Sequence, residues 1–126
     1  MRLAVANRTV SRARELAGEW GGEGGGLDHF RGQGFHLVVN TTAISADDRL
    51  PSFQLIDNST TIFDLNYHPP LTPLLAAGRR LGCPTLDGLE MLACPGERQF
   101  RLFTGVKPPP GAMLDILRAV GGRGEG

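Results

Sequence analysis

The residues best suited to chemistry stand near the start of the chain. Asn7-Arg8-Thr9-Val10-Ser11-Arg12 follows the short apolar run Leu3-Ala4-Val5-Ala6. Two guanidinium groups, Arg8 and Arg12, flank the hydroxyls of Thr9 and Ser11 at a helix start, where the first N–H groups have no intrahelical partners. Bidentate Arg contacts and the dipole of a helix N-terminus together suit a dianionic phosphate. At the end of the second strand of a dinucleotide fold, an acidic residue selects NAD, whereas Arg accommodates the 2′-phosphate of NADP. The same spacing also reads as a solvated helix start carrying surface arginines. Other chemistry is sparse. His29 and His36 have no carboxylate or cysteine at metal-ligand spacing and read as structural, and His68 is a secondary site candidate beside Tyr67. Cys83 and Cys94 lack C-x-x-C spacing and read as free packing thiols. Of 13 basic residues Lys107 is the only lysine, which leaves no buried catalytic lysine.

These residues must be positioned by strands and helices. Leu3 to Ala6 reads as a buried strand. With Thr9 as N-cap, Val10, Ala13, Leu16, Ala17 and Trp20 share one helical face until Gly21-Gly22 stops it. The glycine run from 21 to 26 follows a helix and fails G-x-G-x-x-G at Leu27, so it reads as a flexible connector, with loop to about Gly34. Phe35 to Asn40 is expected as a fully buried strand. A short helical turn is expected near Ala46 to Leu50, and Thr60 to Asn66 reads as another strand. Thr72 caps a helix through Leu81 with Pro73 at its first position. Pro84 to Leu86 is a short strand, Gly88 to about Phe103 a longer helix, and Met113 to Val120 a last amphipathic helix. Continuous apolar strands separated by helices imply a mostly parallel sheet covered on both faces, an α/β fold. Ligands bind such sheets at the carboxyl ends of the strands. Asn7, Asn40-Thr41-Thr42, Asp64 to Tyr67 and Asp87-Gly88 gather there.

The 126 residues allow one domain, and 13 basic against 13 acidic side chains give no net charge. That balance argues against a nucleic-acid or anionic-membrane binder. No apolar run reaches the ~18–20 residues of a membrane span, and the opening apolar stretch is short for a signal peptide. A soluble, cytoplasmic chain is the expectation. Residues 1–106 are expected to form the nucleotide-binding part, and 107–126 a Pro/Gly linker, a C-terminal helix and a flexible tail.

Asn7-Arg8-Thr9-Val10-Ser11-Arg12-Ala13, with Val38-Val39-Asn40-Thr41-Thr42, resembles the cofactor half of shikimate dehydrogenases. So do Asp64 to Pro69, Thr72-Pro73-Leu74-Leu75, and Asp87-Gly88-Leu89-Glu90-Met91-Leu92 through Phe100 and Thr104-Gly105. The first block alone is also similar to that of glutamyl-tRNA reductases. The resemblance implies a Rossmann-like domain that binds NADP, and hydride transfer from NADPH to 3-dehydroshikimate to give shikimate. It assigns Asn7, Arg8, Thr9 and Arg12 to the adenosine 2′-phosphate end and sets Thr41 and Thr42 beside the dinucleotide. Leu65 and Gly88 would line the nicotinamide through backbone contacts, a glycine suiting a backbone that approaches a flat ring, with Met91 packing nearby. Tyr67 would face the substrate carboxylate.

Several departures accompany the likeness. The family's substrate domain, with its catalytic lysine and aspartate, has no counterpart in this sequence, nor do the first strand of the nucleotide fold and its glycine-rich turn. In the order 3-2-1-4-5-6 that strand is central, so two strands that cannot simply close up are left apart. Pro95 replaces a substrate-touching glutamine and is expected to kink or restart its helix, at roughly 3 kcal/mol. His68 stands where asparagine is usual. The isolated chain is therefore expected to lack turnover. The alternatives are a nucleotide-binding module that pairs with itself or with a separately encoded substrate half, and a degenerate relative of the enzyme.

Overall fold

The computed structural model describes residues 2–43 and 56–121. The elements run β1 (Ala4–Ala6), α1 (Val10–Glu19), β2 (Glu23–Gly25), β3 (Leu37–Asn40), β4 (Thr61–Asp64), α2 (Pro73–Arg80), β5 (Thr85–Leu86), α3 (Gly88–Thr104) and α4 (Ala112–Gly121). Among the described residues every strand pairing is parallel, as expected of a helix-flanked α/β chain. The strands form two sheets, β1-β2 and β3-β4-β5, and among the described residues no ladder joins β1 to β3. The helical turn expected near 46–50 lies outside the described residues.

One strand lies where the sequence reading placed a flexible glycine loop. Glu23–Gly25 pairs with β1 in the register Ala4 to Glu23, Val5 to Gly24 and Ala6 to Gly25. The glycines serve close packing here. A Cβ on Gly24 would overlap the Ala13 carbonyl oxygen and the Arg14 Cα and lie 2.5 Å from the Ala13 carbonyl carbon. Helix α1 therefore rests on the bare backbone of β2 through its buried Ala13 and Ala17. Leu16 and Trp20, expected on the buried face, are exposed, Trp20 at 73%. Phe30 completes this half of the core, edge-on to Phe35 at 6.1 Å.

The second half of the core lies between β4 and α2, where Ile62, Leu74, Leu75, Ala77 and Cys83 are buried together with Ile56. Thr72 caps α2 as expected, its hydroxyl accepting from Leu75 N–H at 3.2 Å, with Pro73 first in the helix. Asp87 and Glu90 form a reciprocal capping box at the start of α3. Helix α3 continues through Pro95 and does not restart there. Pro95 and Met91, the residue four positions earlier whose carbonyl loses its N–H partner, are both exposed. Helix α4 packs along α3, with Met113 opposite Gly96.

Strand β3 differs from its expectation as a fully buried strand. Leu37 and Val39 are exposed because β3 is an edge strand of its sheet. Cys83 is a packing thiol that points its Sγ at the Asp57 carbonyl, 3.0 Å away, whereas Cys94 is exposed rather than packed.

Candidate functional site

The first rim is built where β1 meets α1. Asn7 is half-buried, and its Oδ1 accepts the Thr9 N–H at 2.8 Å. Thr9 occupies the N-cap position in extended backbone, yet its side chain caps nothing. The expectation that Thr9 closes this helix through its hydroxyl is thus corrected: Asn7 tightens the turn from two residues upstream. The first turn of α1 also holds no acidic residue. Arg8, Thr9 and Arg12 are exposed around it. The start of α1 thus has no side-chain cap and no acid in its first turn, with guanidinium groups on either side, whereas α2 and α3 carry side-chain caps.

The second rim is held by a carboxylate that sequence reading left without a role. Asp64 is fully buried at the end of β4. Its Oδ1 accepts from Asn40 Nδ2 at 3.1 Å, Asn66 N–H at 3.0 Å and Asn66 Nδ2 at 2.7 Å, and its Oδ2 accepts the Thr72 hydroxyl at 2.7 Å. A buried carboxylate is tolerable when its oxygens are met by donors in this way. Asn40 in turn accepts the Thr42 N–H at 3.1 Å and its hydroxyl at 2.7 Å, and Asn66 Nδ2 donates to the Thr42 carbonyl at 2.9 Å. The turns after β3 and β4 and the start of α2 are therefore fixed to one another through Asp64. An aspartate ending a β-branched strand, with asparagine two residues on, was the available signal.

Leu65 and Gly88 are brought into contact. Gly88 N–H donates to the Asn66 carbonyl at 3.2 Å, and a Cβ on Gly88 would overlap the Leu65 carbonyl oxygen. Close backbone approach does demand glycine here, and the approaching surface is the end of β4 itself. Met91 follows one turn into α3 and is partly exposed, while Thr41, Thr42 and Tyr67 are exposed on the rim. His29 pairs with Glu23 at 2.8 Å. Among the described residues no three His, Cys, Asp or Glu side chains gather as a metal site. No described helix is long and apolar enough to cross a membrane. An open depression of about 530 Å³ lies on the C-terminal half of α3, between Arg98, Arg101 and Lys107, away from both rims.

Residues 88–118 match the family described as the shikimate 5′-dehydrogenase C-terminal domain. Along 120 residues the chain is 38% identical to a shikimate dehydrogenase (NADP(+)) of Methanocella arvoryzae, an alignment covering 88% of this chain and 45% of that protein. The chain is a C-terminal segment of the shikimate dehydrogenase family. It spans less than half the length of the curated relatives it matches. Shikimate dehydrogenase structures carry the same architecture. The Thermus thermophilus enzyme in complex with NADP(H) and shikimate superposes with a TM-score of 0.75 at 33% identity, over 94% of this chain and 46% of that one. A quinate dehydrogenase from Corynebacterium glutamicum in complex with NAD superposes at 0.67, with 30% identity over 94% of this chain and 46% of that one. A single superposition carries both small sheets, so they keep the relative placement they have in one continuous shikimate dehydrogenase fold, Rossmann-like and mostly parallel.

Proposed function

We propose that this chain is the NADP(H)-binding part of a shikimate dehydrogenase. In the whole enzyme it would present the cofactor for reduction of 3-dehydroshikimate to shikimate. The observation that carries this reading is the uncapped, acid-free start of α1 between Arg8 and Arg12. One neighbour's structure holds NADP(H) and another's holds NAD, so the architecture alone does not fix the cofactor, and the side chains at this corner support the choice of NADP(H). Guanidinium groups favour the extra phosphate, where a carboxylate would repel it.

In this reading Asn7, Arg8, Thr9 and Arg12 hold the adenosine 2′-phosphate end. Thr41 and Thr42 flank the dinucleotide. The backbone at Leu65 and Gly88, with Met91 beside it, borders the nicotinamide, and Tyr67 faces the substrate carboxylate. When bound, the cofactor supplies the hydride. The protein's part is orientation: Asp64 fixes the Thr42, Asn66 and Leu65 backbones relative to one another, which pre-sets the surface the ring would meet.

Reduction of a carbonyl also needs a proton donor within hydrogen-bond reach of its oxygen. The sole lysine, Lys107, borders the depression on α3 and not the strand ends. The chain by itself is accordingly proposed to be without dehydrogenase turnover, whatever its affinity for cofactor. NADPH oxidation with 3-dehydroshikimate, followed at 340 nm on the purified chain, tests this: no rate above the protein-free control is expected. A rate that scales with protein concentration and survives repeated purification would overturn it.

A further inference from the structure

The depression on α3 gathers positive charge that its place in the helix does not explain. Cys94, Arg98 and Arg101 recur at the spacing of one helical stripe and line one wall. Lys107, Pro108 and Pro110 line the other. That second wall is held in place. Gly105 ends α3 with φ 71° and its N–H on the Arg101 carbonyl at 2.9 Å. Val106 N–H donates to the Thr104 hydroxyl at 3.1 Å, and Ala112 N–H to the Pro109 carbonyl at 3.1 Å. Pro108, Pro109 and Pro110 fix the φ angles between those anchors. Among the described residues no hydrogen bond or ion pair engages the side chain of Arg98, Arg101 or Lys107. Arg101, in the last turn, suits the helix dipole, but Arg98 lies a turn earlier and Lys107 beyond the helix. Like charges three residues apart on a helix, about 5–6 Å between Cβ atoms, repel each other. Phe103, the most exposed apolar side chain of α3 at 86%, follows Arg101 by two residues and so lies on the opposite side of the helix.

We propose that this depression is a binding site for a phosphorylated, hydroxyl-bearing small molecule of the sugar-phosphate class, separate from the corner at Arg8 and Arg12. Arg98 and Arg101 would meet the phosphate oxygens with charge-assisted hydrogen bonds, and Lys107 would approach from the linker. A dianion placed there relieves the repulsion among the three cations. Glu97 also borders the depression, is half-buried and only accepts hydrogen bonds when ionised. It therefore favours a ligand that donates hydroxyl hydrogens and disfavours a bare anion. Pro108 and Pro110 offer an apolar wall to the carbon skeleton. The volume of about 530 Å³ lies in the range of small-molecule clefts. The inference does not depend on cofactor binding at the strand ends.

Cys94 reports occupancy directly, because it is exposed in the depression while Cys83 is buried. The full 126-residue chain is alkylated with iodoacetamide in the presence of ribose 5-phosphate, ribose or inorganic phosphate, and modification of each cysteine is followed by peptide mass spectrometry. Ribose 5-phosphate is expected to slow Cys94 alkylation saturably, ribose to leave it unchanged, and inorganic phosphate to act only at higher concentration. Arg98→Ala is expected to raise the concentration for half-protection about tenfold, the scale of one charge-assisted hydrogen bond. Lys107→Ala, outside the helix, carries the same test if Arg98→Ala loses its native circular dichroism. Arg8→Ala/Arg12→Ala is expected to leave protection unchanged, which separates this site from the one at α1. No protection by ribose 5-phosphate, equal protection by ribose or by inorganic phosphate, or protection indifferent to both Arg98→Ala and Lys107→Ala would overturn the proposal. Protection lost in Arg8→Ala/Arg12→Ala would overturn it too, by placing the ligand at the other corner.

Discussion

Replacing Gly88 by alanine tests how the site is assembled. The new Cβ would overlap the Leu65 carbonyl oxygen and stand 2.8 Å from the Leu65 carbonyl carbon and 2.9 Å from that of Asn66. Both obstacles are backbone, and neither can rotate aside. Leu65 N–H is tied to the Asn40 carbonyl at 3.0 Å and Asn66 N–H to the Asp64 carboxylate at 3.0 Å. The start of α3 must therefore move, with loss of the 3.2 Å hydrogen bond from Gly88 N–H to the Asn66 carbonyl. Overpacking of this kind costs about 1–3 kcal/mol. The lost hydrogen bond adds about 1 kcal/mol. Alanine's better helix propensity offsets about 0.8–1 kcal/mol. The net, about 2 kcal/mol, should lower the thermal midpoint by roughly 8 °C at about 4 °C per kcal/mol for a chain of this size. Circular dichroism melts would measure it beside Gly18→Ala, an α1 position where a Cβ meets nothing within 4 Å and where a neutral or slightly stabilising effect is expected. A Gly88→Ala midpoint within about 2 °C of the parent would refute the packing argument.

Two further outcomes follow from the hydrogen bonds. Thr72→Val removes both the cap on Leu75 N–H and the hydroxyl given to Asp64; the two losses together should cost about 2–3 kcal/mol in urea denaturation, and a cost under about 0.5 kcal/mol would deny Asp64 its anchoring role. The Ser59 hydroxyl and N–H hold the Asp57 carboxyl below the usual 3.8, with smaller help from Thr60 and His36 against a desolvation that pushes the other way. A carboxyl with its folded pKa lowered contributes stability that is present above the unfolded value and lost as pH falls through the folded one. The turn from 57 to 60 should therefore loosen only below about pH 3.8, and carbon-detected NMR titration of Asp57 should give a midpoint under that value, which Ser59→Ala raises.

Local signals placed the elements well wherever a residue type dictates backbone geometry. Thr72-Pro73 at the start of α2 is one case, and the β-branched run of β4 is another. The glycine run misled because composition alone equates glycine with freedom. In β2 its use is steric, letting α1 lie on a bare strand, and that depends on a tertiary neighbour that periodicity cannot reveal. Leu16 and Trp20 kept helical spacing yet lie exposed, since an apolar stripe is buried only where a partner exists. Helix α3 also continues through Pro95, where the proline and Met91 are both exposed, which spacing does not reveal. At the candidate site, the residues at strand ends were legible from the order of elements. Asp64 was not seen as the centre, because its role arises from Asn40 and Thr72, distant in sequence and joined only by the fold.

The central claim concerns the phosphate corner at Arg8 and Arg12, and a ligand that touches only that end tests it most directly. Isothermal titration of the chain with adenosine 2′,5′-bisphosphate and with 5′-AMP compares the 2′-phosphate with its absence. Charge-assisted hydrogen bonds at about 1.5 kcal/mol each should make the bisphosphate bind about a hundredfold more tightly. The double variant Arg8→Ala/Arg12→Ala should bring the two ligands to parity. Equal affinities in the parent chain, or a preference that survives removal of both guanidinium groups, would contradict the account.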